Sequence, residues 1–334
     1  MSRRIRIMRR TNLGLIAFAL ILVLISKPGL AEDKQSFKKW LGDLRREALA
    51  KGISQSTFDE AFAEIEPIPR VIELDRNQPE FRMTLTEYLD RVTPKHRIIQ
   101  GRKELAKHHT LLMKLYDRYR VEPWFLIAFW GVETSYGRLS GDFPVIGSIA
   151  TLAYDGRRSR FFRRELMHAL RILEDAHISA GKMRGSWAGA MGQLQFMPST
   201  FQAFAVDYDG DGKIDIWDNL GDAFASAAHY LAKSGWVKGQ SWGFEVRLPE
   251  GFAPALPDLN IRKPLSQWQS LGVRRPGGQD LTPSPDLMAS VIQPDGPKGK
   301  AFIALNNYRV ILKWNRSYFF GVAVGTLADR IKER

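Results

Sequence analysis

Apolar residues recur every three or four positions over much of this chain, the spacing of one buried helix face. The first predicted helix shows this spacing and ends at Gly52. Its apolar face consists of Phe37, Trp40, Leu41, Leu44 and Ala48. Residues 56–59, Ser-Thr-Phe-Asp, are typical of a helix N-terminus and predict a second short helix. Residues 65–79 carry several prolines and are predicted to be extended.

The longest helical stretch is predicted between about residues 84 and 233. The individual helices are expected at residues 102–120, 123–136, 161–180, 198–205 and 222–234. None of them shows the sustained heptads of a coiled coil, and the chain contains no internal repeat. This part of the chain is therefore interpreted as a globular helical body.

The pattern changes after Gly239. Residues 244–248 alternate apolar and polar positions like a strand, and residues 301–305 and 308–314 are rich in β-branched and aromatic side chains. The last two runs flank Asn306-Asn307 and predict a β-hairpin. Residues 319–331 return to helical spacing. The predicted fold class is mainly α (α+β), with a small antiparallel β module near the C-terminal end.

The N-terminal residues resemble an export signal. Five arginines precede an apolar run at residues 13–25, and Gly29 and Ala31 occupy the −3 and −1 positions of a cleavage site. The run is shorter than the roughly 20 residues of a membrane-spanning helix. We predict cleavage after Ala31 and a soluble periplasmic protein, with an uncleaved membrane anchor as the alternative. A lipid-modified N-terminus is excluded, because the chain has no cysteine.

Composition adds two limits. The 334-residue chain has no cysteine, which excludes disulfides, a thiolate nucleophile and a zinc site with cysteine ligands. The net charge of +13 suggests a polyanionic partner, but the predicted leader carries six Lys/Arg and no acid, so the remaining chain is only +7. We therefore do not predict nucleic-acid binding.

One carboxylate lies at the end of an unusually apolar helix. Pro123 suits a first helical turn, and the nine residues from Trp124 to Val132 are apolar or glycine. A helix that is hydrophobic all round is buried, so Glu133 on its last turn is expected to be desolvated, which raises the pKa of a carboxyl group. A raised pKa suits a general acid. The alternative is a structural ion pair with an arginine such as Arg138, because buried ion pairs also shift pKa values.

A second segment, residues 185–198, combines three glycines with small and amide residues. Glycine allows a ligand or another helix to approach the backbone closely. Ser186 and Gln195 offer hydrogen bonds to neutral groups such as sugar amides and hydroxyls. Tight core packing would explain the glycines but not Gln193 and Gln195.

These segments carry a family resemblance. Gly131-Val132-Glu133-Thr134-Ser135-Tyr136-Gly137-Arg138, the segment 189–198, the segment 156–162 and residues 307–315 together resemble the lytic murein transglycosylase B family over nearly the whole chain after the leader. The resemblance implies a lysozyme-like α-helical catalytic core, an extra helical region and a small inserted β domain.

With that fold the chain divides into five regions. They are a cleaved signal peptide at 1–31, an N-terminal helical region at 32–83, the catalytic core at 84–238, the β domain at 239–316 and a C-terminal helix at 317–334 that packs back on the helical body.

The resemblance also implies an activity. Members cleave the MurNAc-GlcNAc β-1,4 bond of peptidoglycan without water and leave a 1,6-anhydromuramoyl end. Glu133 matches the single acid/base, where ordinary glycosidases use two carboxylates. Asp142 and Asp155 are the nearest later candidates for a second carboxylate, so a hydrolytic muramidase is the alternative, and a non-catalytic peptidoglycan-binding protein is another. The implied partners are glycan strands, with other cell-wall enzymes as candidates, and the protein is expected to be a monomer.

Substrate-binding positions follow from the same motifs. Arg157 and Arg158 match a basic pair near the cleavage point, with a solvated basic face as the alternative. The other matched positions are Ser186, Gln195, Tyr230, Tyr88, Trp314 and Asn315. The family tends to have tyrosine where this chain has Trp314 and Phe320. Stacking on a sugar survives that change, whereas a hydroxyl contact does not.

Residues 207–215, Asp-Tyr-Asp-Gly-Asp-Gly-Lys-Ile-Asp, fit an EF-hand calcium loop. The predicted ligands are Asp207, Asp209, Asp211, the carbonyl of Lys213 and Asp222. Position twelve is Asp218 in place of glutamate, so either Asp218 or Asp222 closes the site. The ion is expected to be structural Ca²⁺, because sensor proteins usually pair such loops and only one is present. No organic cofactor is predicted.

Overall fold

The computed structural model describes residues 30–77, 83–253, 255–281 and 284–333. The predicted leader lies outside them, apart from its last two residues, which open the first helix. No helix in these ranges has the length and apolar character required to cross a bilayer. The first seven described helices are α1 Leu30–Ala50, α2 Gln55–Phe62, α3 Pro69–Arg76, α4 Leu85–Val92, α5 Lys95–Lys107, α6 His109–Tyr119 and α7 Pro123–Thr134. The others are α8 Val145–Asp155, α9 Ser159–Glu174, α10 Pro198–Phe204, α11 Leu220–Lys233, α12 Leu265–Ser270, α13 Asn306–Trp314 and α14 Tyr318–Lys332.

Six strands accompany these helices. They are β1 Phe143–Pro144, β2 Arg184–Gly185, β3 Gly243–Val246, β4 Lys263–Pro264, β5 Met288–Ile292 and β6 Ala301–Ala304. β1 pairs with β2, and the other four form an antiparallel sheet in the order β3-β6-β5-β4. Val291 lies opposite Ile303 in the centre of this sheet.

Helix α7 lies at the centre of the helical body. As the sequence predicts, it is buried on nearly all sides, and Leu126, Ile127, Ala128 and Phe129 have no exposed surface. It packs against α14, α5, α6 and α11. A helix surrounded by others is held along its whole length, so the residues at its two ends have fixed positions.

The four-stranded sheet is covered on both faces. Phe302 and Ala304 of β6 pack into the core of the helical body, while Ala301 and Ile303 pack into a second core around Trp268. Successive strand residues point to opposite faces, which explains why β6 is apolar at every position. The β region is therefore joined to the helical body by apolar contacts as well as by the chain. The limits of the five predicted regions stay a prediction.

The hairpin predicted at residues 301–314 is wrong. Only β6 is a strand, and the second half is α13, which begins directly at Asn306. Asn307 is fully buried, donates to the carbonyls of Val237 (2.9 Å) and Gln240 (2.7 Å), and accepts from the N–H of Val237 at 2.8 Å. The asparagine that suggests a turn is used instead to tie the first turn of α13 to the segment before β3.

Other helix limits also differ from the expectation. Residues 69–76, predicted to be extended, form α3, with Pro69 in its first turn, where proline is favoured. The helix expected at 102–120 is two helices that meet at His108. The helix expected to end at residue 180 ends at Glu174, shortly before Ala176 adopts a positive φ of 56°. The N-cap of α2 is Ser54, whose hydroxyl accepts from the N–H of Thr57.

Candidate active site

Glu133 lies in the last turn of α7 and is half-buried. Its Oε1 accepts a hydrogen bond of 2.9 Å from the indole N–H of Trp314, 181 residues later in the chain. The C-terminal end of a helix dipole disfavours a nearby negative charge. Its position, its partial burial and the donor Trp314 make Glu133 a well-placed acid, and its raised pKa stays a prediction.

The turn after Glu133 has an uncommon backbone. Ser135 and Tyr136 both have positive φ, 52° and 63°, which non-glycine residues rarely adopt. Arg97 of α5 holds this turn, because its guanidinium donates to the Ser135 hydroxyl at 2.6 Å and its carbonyl accepts from the Tyr136 hydroxyl at 2.7 Å. Arg138 donates from Nε to the Ser135 carbonyl. Such backbone conformations persist only where the surroundings fix them, and they cluster at functional sites.

Three aromatic rings surround the indole of Trp314. Its centroid lies 4.8 Å from that of Phe129, 5.1 Å from that of Phe196 and 5.0 Å from that of Tyr230, at interplanar angles of 44° to 78°. The contacts with Phe196 and Tyr230 are edge-to-face and that with Phe129 is tilted, and such contacts help to fix the orientation of a ring. The direction of the N–H towards Glu133 is therefore set by packing and not only by the hydrogen bond.

Gln193 has a structural role that the sequence did not reveal. Its Oε1 accepts from the Trp130 indole at 2.8 Å, its Nε2 donates to the Trp217 carbonyl at 2.7 Å, and its own carbonyl accepts from the Thr134 hydroxyl at 2.8 Å. Thr134 is the neighbour of Glu133. Gln193 thus connects the end of α7 to the glycine-rich segment, which explains one of the two glutamines.

The glycines of that segment permit close approach. A Cβ at Gly189 would lie 2.4 Å from the Ile149 side chain, and one at Gly192 would lie 2.5 Å from the Ile216 carbonyl. Both have positive φ. The packing interpretation therefore holds for these glycines.

Gln195 and Ser186 are both engaged within the segment. Gln195 has a positive φ of 54° and donates from Nε2 to the carbonyls of Ser140 (2.9 Å) and Gly192 (3.2 Å). The Ser186 hydroxyl accepts from the Ala190 N–H at 3.0 Å. Within the part of the chain that the structure describes, the Oε1 of Gln195 accepts no hydrogen bond and can accept one from a ligand. The Ser186 oxygen, in contrast, already accepts from a backbone N–H in a turn. Their sugar contacts stay predictions.

Trp314, Tyr230 and Gln195 share one small cleft. It has a volume of about 70 Å³ and is also lined by Phe196, Met197, Thr200 and Lys313. Burial raises the pKa of Tyr230, a shift that its hydrogen bond with Ser234 partly opposes. Four lining residues, Phe196, Met197, Thr200 and Lys313, were not predicted. Phe196 and Met197 belong to the quoted motif and Lys313 precedes Trp314, so proximity in sequence would have found three of them.

Tyr88 and Asn315 lie elsewhere. The Tyr88 ring is 5.7 Å from that of Phe319, at the contact between α4 and α14. Asn315 follows α13 and is exposed, and its Oδ1 accepts from the Ser317 N–H. The structure connects Asn315 to the start of α14, and a contact of either residue with substrate stays a prediction.

The basic pair has a partner in the protein. Asp75 of α3 is 3% exposed and forms ion pairs with both Arg157 and Arg158. Burial disfavours the charged form of Asp75, but hydrogen bonds and the charges of the two arginines outweigh this effect and lower the pKa of its carboxyl group. Both guanidinium groups remain about half exposed, at 53% and 42%. Arg157 and Arg158 are therefore more than a solvated basic face, because both also pair with Asp75. Binding of substrate by the two arginines stays a prediction.

The two candidates for a second carboxylate have structural contacts. Asp155 accepts from Arg76 at 3.0 Å. Asp142 follows Gly141 in the loop before β1, and its carbonyl accepts from Arg184 at 2.8 Å. Neither observation places a second carboxylate beside Glu133.

The loop after α10 gathers carboxylates. Asp207, Asp209 and Asp211 each bring one ligand atom within 4.8 Å of the others. Backbone N–H groups, first that of Gly212, lower the pKa of Asp207, so it is charged at neutral pH. Three carboxylates at this distance repel one another in the absence of a cation, and oxygen donors suit Ca²⁺. These residues therefore fit the predicted ion.

The two candidates for the last ligand of that loop differ in burial, and which of them closes the site stays a prediction. Asp222 is 1% exposed, and its two oxygens accept from the N–H groups of Tyr208 and Asp215, both at 2.8 Å. Asp218 is exposed. Burial, with the charges of Asp209 and Asp207, raises the pKa of Asp222, although the backbone hydrogen bonds oppose the shift. A cation at the loop would remove this charge repulsion.

Comparison with known proteins gives the family of the chain. Residues 36–329 match the family described as Transglycosylase SLT domain. The chain belongs to this family. Over 232 residues this SLT-domain chain is 33% identical to "Membrane-bound lytic murein transglycosylase B" of Escherichia coli (strain K12), which corresponds to 67% of the chain and 61% of that protein. The match thus spans about three fifths of the relative, and the resemblance to the transglycosylase B family is confirmed.

Solved structures support the same assignment. SltB3 from Pseudomonas aeruginosa, in complex with NAG-anhNAM-pentapeptide, is 49% identical and superimposes with a TM-score of 0.86 over 90% of this SLT-domain chain and 80% of its own. The Escherichia coli lytic transglycosylase Slt35, in complex with calcium, is 27% identical with a TM-score of 0.74 over 89% and 92%. The predicted fold class is therefore confirmed.

Proposed function

We propose that this SLT-domain chain is a peptidoglycan lytic transglycosylase with Glu133 as its only acid and base. The observation that carries the proposal is the placement of Glu133 at the end of buried α7, with its Oε1 held by Trp314 at the side of the cleft formed with Tyr230 and Gln195. Family membership and the complex of SltB3 with a NAG-anhNAM-pentapeptide agree with this substrate.

In the proposed reaction, Glu133 first gives its proton to the glycosidic oxygen as the bond from that oxygen to the anomeric carbon of MurNAc breaks. The N-acetyl group of the substrate stabilises the cation. The Glu133 carboxylate then takes the proton of the sugar's own 6-hydroxyl, whose oxygen attacks the anomeric carbon. The products are a free GlcNAc hydroxyl and a 1,6-anhydromuramoyl end, and Glu133 is protonated again.

One carboxylate suffices because the nucleophile is tethered. An intramolecular hydroxyl has a high effective concentration, so no second carboxylate is needed to activate water. The hydrogen bond of Asp155 to Arg76 is consistent with a single acid. A hydrolytic muramidase would ordinarily need a second carboxylate, either as the base that activates water or as the nucleophile.

We further propose that the chain is exported to the periplasm and holds one structural Ca²⁺. Export rests on the predicted signal sequence and on a substrate that lies outside the cytoplasmic membrane. The ion would be held by Asp207, Asp209, Asp211 and the carbonyl of Lys213, with Asp222 as the last ligand. The calcium complex of Slt35 supports this assignment. The ion would neutralise the loop and fix it to the start of α11.

The decisive experiment is product analysis on purified sacculi with the wild type and Glu133→Gln. The wild type should release muropeptides that end in 1,6-anhydro-MurNAc, detected by mass spectrometry after borohydride treatment. Glu133→Gln should bind sacculi and release nothing. Reducible muramic ends would identify a hydrolytic muramidase. A wild type that binds sacculi without releasing muropeptides would support a non-catalytic wall protein, and an active Glu133→Gln would overturn the assignment of the acid.

A further inference from the structure

The indole of Trp314 donates to Glu133, and this limits what Oε1 of the carboxyl group can do. An indole N–H donates a hydrogen bond and has no acceptor, whereas a tyrosine hydroxyl can donate or accept. Because Trp314 donates to Oε1, Oε1 must present a lone pair in that direction in both protonation states. The carbonyl oxygen of a neutral carboxyl group is a stronger acceptor than its hydroxyl oxygen, so this bond favours the proton on Oε2.

The orientation of this donor is imposed by the surroundings of Trp314. Phe129 comes from the same helix as Glu133, Phe196 from the glycine-rich segment and Tyr230 from α11, and all three rings pack against the indole. Trp314 itself is the last residue of α13. Four separate parts of the chain therefore fix the indole plane, which is more than a flexible sugar-stacking platform needs.

We propose that Trp314 is the positioning residue of the acid: its N–H fixes Oε1 of Glu133 as an acceptor and assigns the transferable proton to Oε2. The proposal rests on the proposed function, because it specifies which oxygen of Glu133 gives and later takes the proton. Trp314 acts through Glu133 here, beyond any contact that its ring makes with a sugar.

Two consequences follow for the reaction. A fixed proton position increases the fraction of bound complexes that have a reactive geometry, which affects kcat more than KM. The N–H also stabilises the carboxylate formed after the first step, since a donor bonds more strongly to a charged acceptor than to a neutral one. Removal of the N–H should therefore make the acid harder to deprotonate and shift the alkaline limb of the kcat profile to higher pH.

Three other titratable groups lie near the site. Tyr230 and Lys313 line the same cleft, and Arg138 follows the turn after Glu133. Because Tyr230 packs against Trp314, a Trp314→Phe change alters its burial as well. A variant that keeps the bicyclic ring and lacks only the N–H separates the effect on Glu133 from that on Tyr230.

The other end of α7 supplies a matched control. There the indole of Trp236 donates to Oε2 of Glu122 at 2.8 Å, so Trp236→Phe removes the same kind of bond from the same helix. Trp236 lies outside the proposed active site. Its loss should lower the melting temperature and leave the pH profile of the folded enzyme unchanged.

The experiment measures kcat and KM against pH on soluble glycan strands for the wild type, Trp314→Phe and Trp236→Phe. We expect Trp314→Phe to lower kcat by about tenfold, to change KM by less than about twofold, and to move the alkaline limb up by about one pH unit. A variant with benzothienylalanine at position 314 keeps the bicyclic ring but lacks the N–H. It should reproduce both changes without a change in packing.

Three results would overturn the positioning role. One is an unchanged kcat and alkaline limb in the benzothienylalanine variant. Another is a raised KM with an unchanged limb in Trp314→Phe, which would make Trp314 a sugar platform only. The third is an equal shift in Trp236→Phe, which would make the effect general. None of these results touches the proposed function, which fails separately if Glu133→Gln remains active.

Discussion

The two ends of α7 carry the same pair of side chains in different surroundings. Glu122, immediately before the first residue, is 4% exposed and accepts from the Trp236 indole at 2.8 Å and from the Gly239 N–H at 2.6 Å. Glu133, in the last turn, is half-buried and accepts from the Trp314 indole. The helix dipole stabilises a negative charge at the first end and destabilises it at the second.

The difference separates a structural acid from a chemical one. Both oxygens of Glu122 accept from a donor, and a carboxylate suits the N-terminal end of a helix. Glu133 is at the unfavourable end of the dipole, and its donor Trp314 lines a small cleft. An acid that must lose and regain a proton in each cycle needs surroundings like those of Glu133. An acid that joins α7 to the segment before β3 needs surroundings like those of Glu122.

The largest expected effect comes from exchanging each acid for its amide. Glu133→Gln should reduce the release of muropeptides by at least about 10³-fold, because the amide can neither give nor take the proton. Its unfolding free energy should change little. Product release is measured on sacculi, and stability is measured by urea unfolding.

Glu122→Gln is the matched variant and should show the opposite pattern. The amide NH₂ would face either the Trp236 N–H or the Gly239 N–H, so one buried donor loses its acceptor and stability falls by about 1–3 kcal/mol. Activity per folded molecule should be retained. A stable Glu122→Gln, or one that is folded and inactive, would contradict the division of roles between the two ends.

A smaller effect is expected at Asp222, another buried acid at a helix start. Asp222 resembles Glu122 in accepting two N–H groups, but its pKa is raised by burial and by the charges of Asp209 and Asp207. In the calcium-free protein a raised pKa means that the contribution of this group to stability is complete at low pH and is lost as pH rises through the folded-state pKa. Bound Ca²⁺ should remove that loss.

Calcium should therefore raise the melting temperature more at pH 7 than at about pH 3.5, below the ordinary pKa of an aspartate, and EDTA should reverse the rise. At a calcium concentration 100 times the dissociation constant, the gain is about 2.7 kcal/mol. Scanning calorimetry with Ca²⁺ and with Mg²⁺ at both pH values measures it. Identical melting curves with calcium and with EDTA would contradict the proposed metal site. They would not affect the comparison of Glu122 with Glu133.

The smallest effect is expected at Asp75, whose charge is compensated by Arg157 and Arg158. Asp75→Asn should cost about 1–2 kcal/mol near neutral pH, a modest value because both guanidinium groups are half exposed. The pKa of Asp75 is lowered, so its contribution is complete above the unfolded-state pKa and is lost as pH falls through the folded-state pKa. The difference between wild type and variant should disappear in acid.

Unfolding at pH 7 and at pH 2.5 measures this difference, and a difference that is equal at both pH values would show that the arginines contribute nothing through charge. A parallel measurement of KM tests substrate binding by the pair. A raised KM in Asp75→Asn with unchanged kcat would indicate that Asp75 presents both arginines to the glycan strand.

Much of the fold follows from periodicity. Helices α7, α10 and α11 begin within two residues of the predicted positions, because Pro123, Pro198 and Asp222 mark their first turns. Helix α3 was missed because prolines suggest an extended chain, although Pro69 occupies a first turn in which proline is favoured. Such errors arise where one residue type suits two local structures and distant contacts decide between them.

The residues of the site also fall into two groups, those that the local sequence predicted and those whose roles depend on distant contacts. Glu133 was predicted from its own helix, since nine consecutive residues without a charged or polar side chain before a carboxylate are visible in the sequence. The structural roles of Gln193 and Asp75 were not, because their partners are 24 to 83 residues away along the chain. Hydrogen bonds over such distances leave no periodic pattern.

The sequence by itself determined that one carboxylate ends a buried helix, that three aspartates share a loop, and to which family the chain belongs. Only the tertiary structure decided what faces Glu133. Residues 308–314 are suited to a strand or a helix, and the burial of Asn307 against Val237 and Gln240 selects the helix. That choice brings the indole of Trp314 to Glu133, since the direction of a side chain follows from secondary structure, and secondary structure here follows from contacts made elsewhere in the chain.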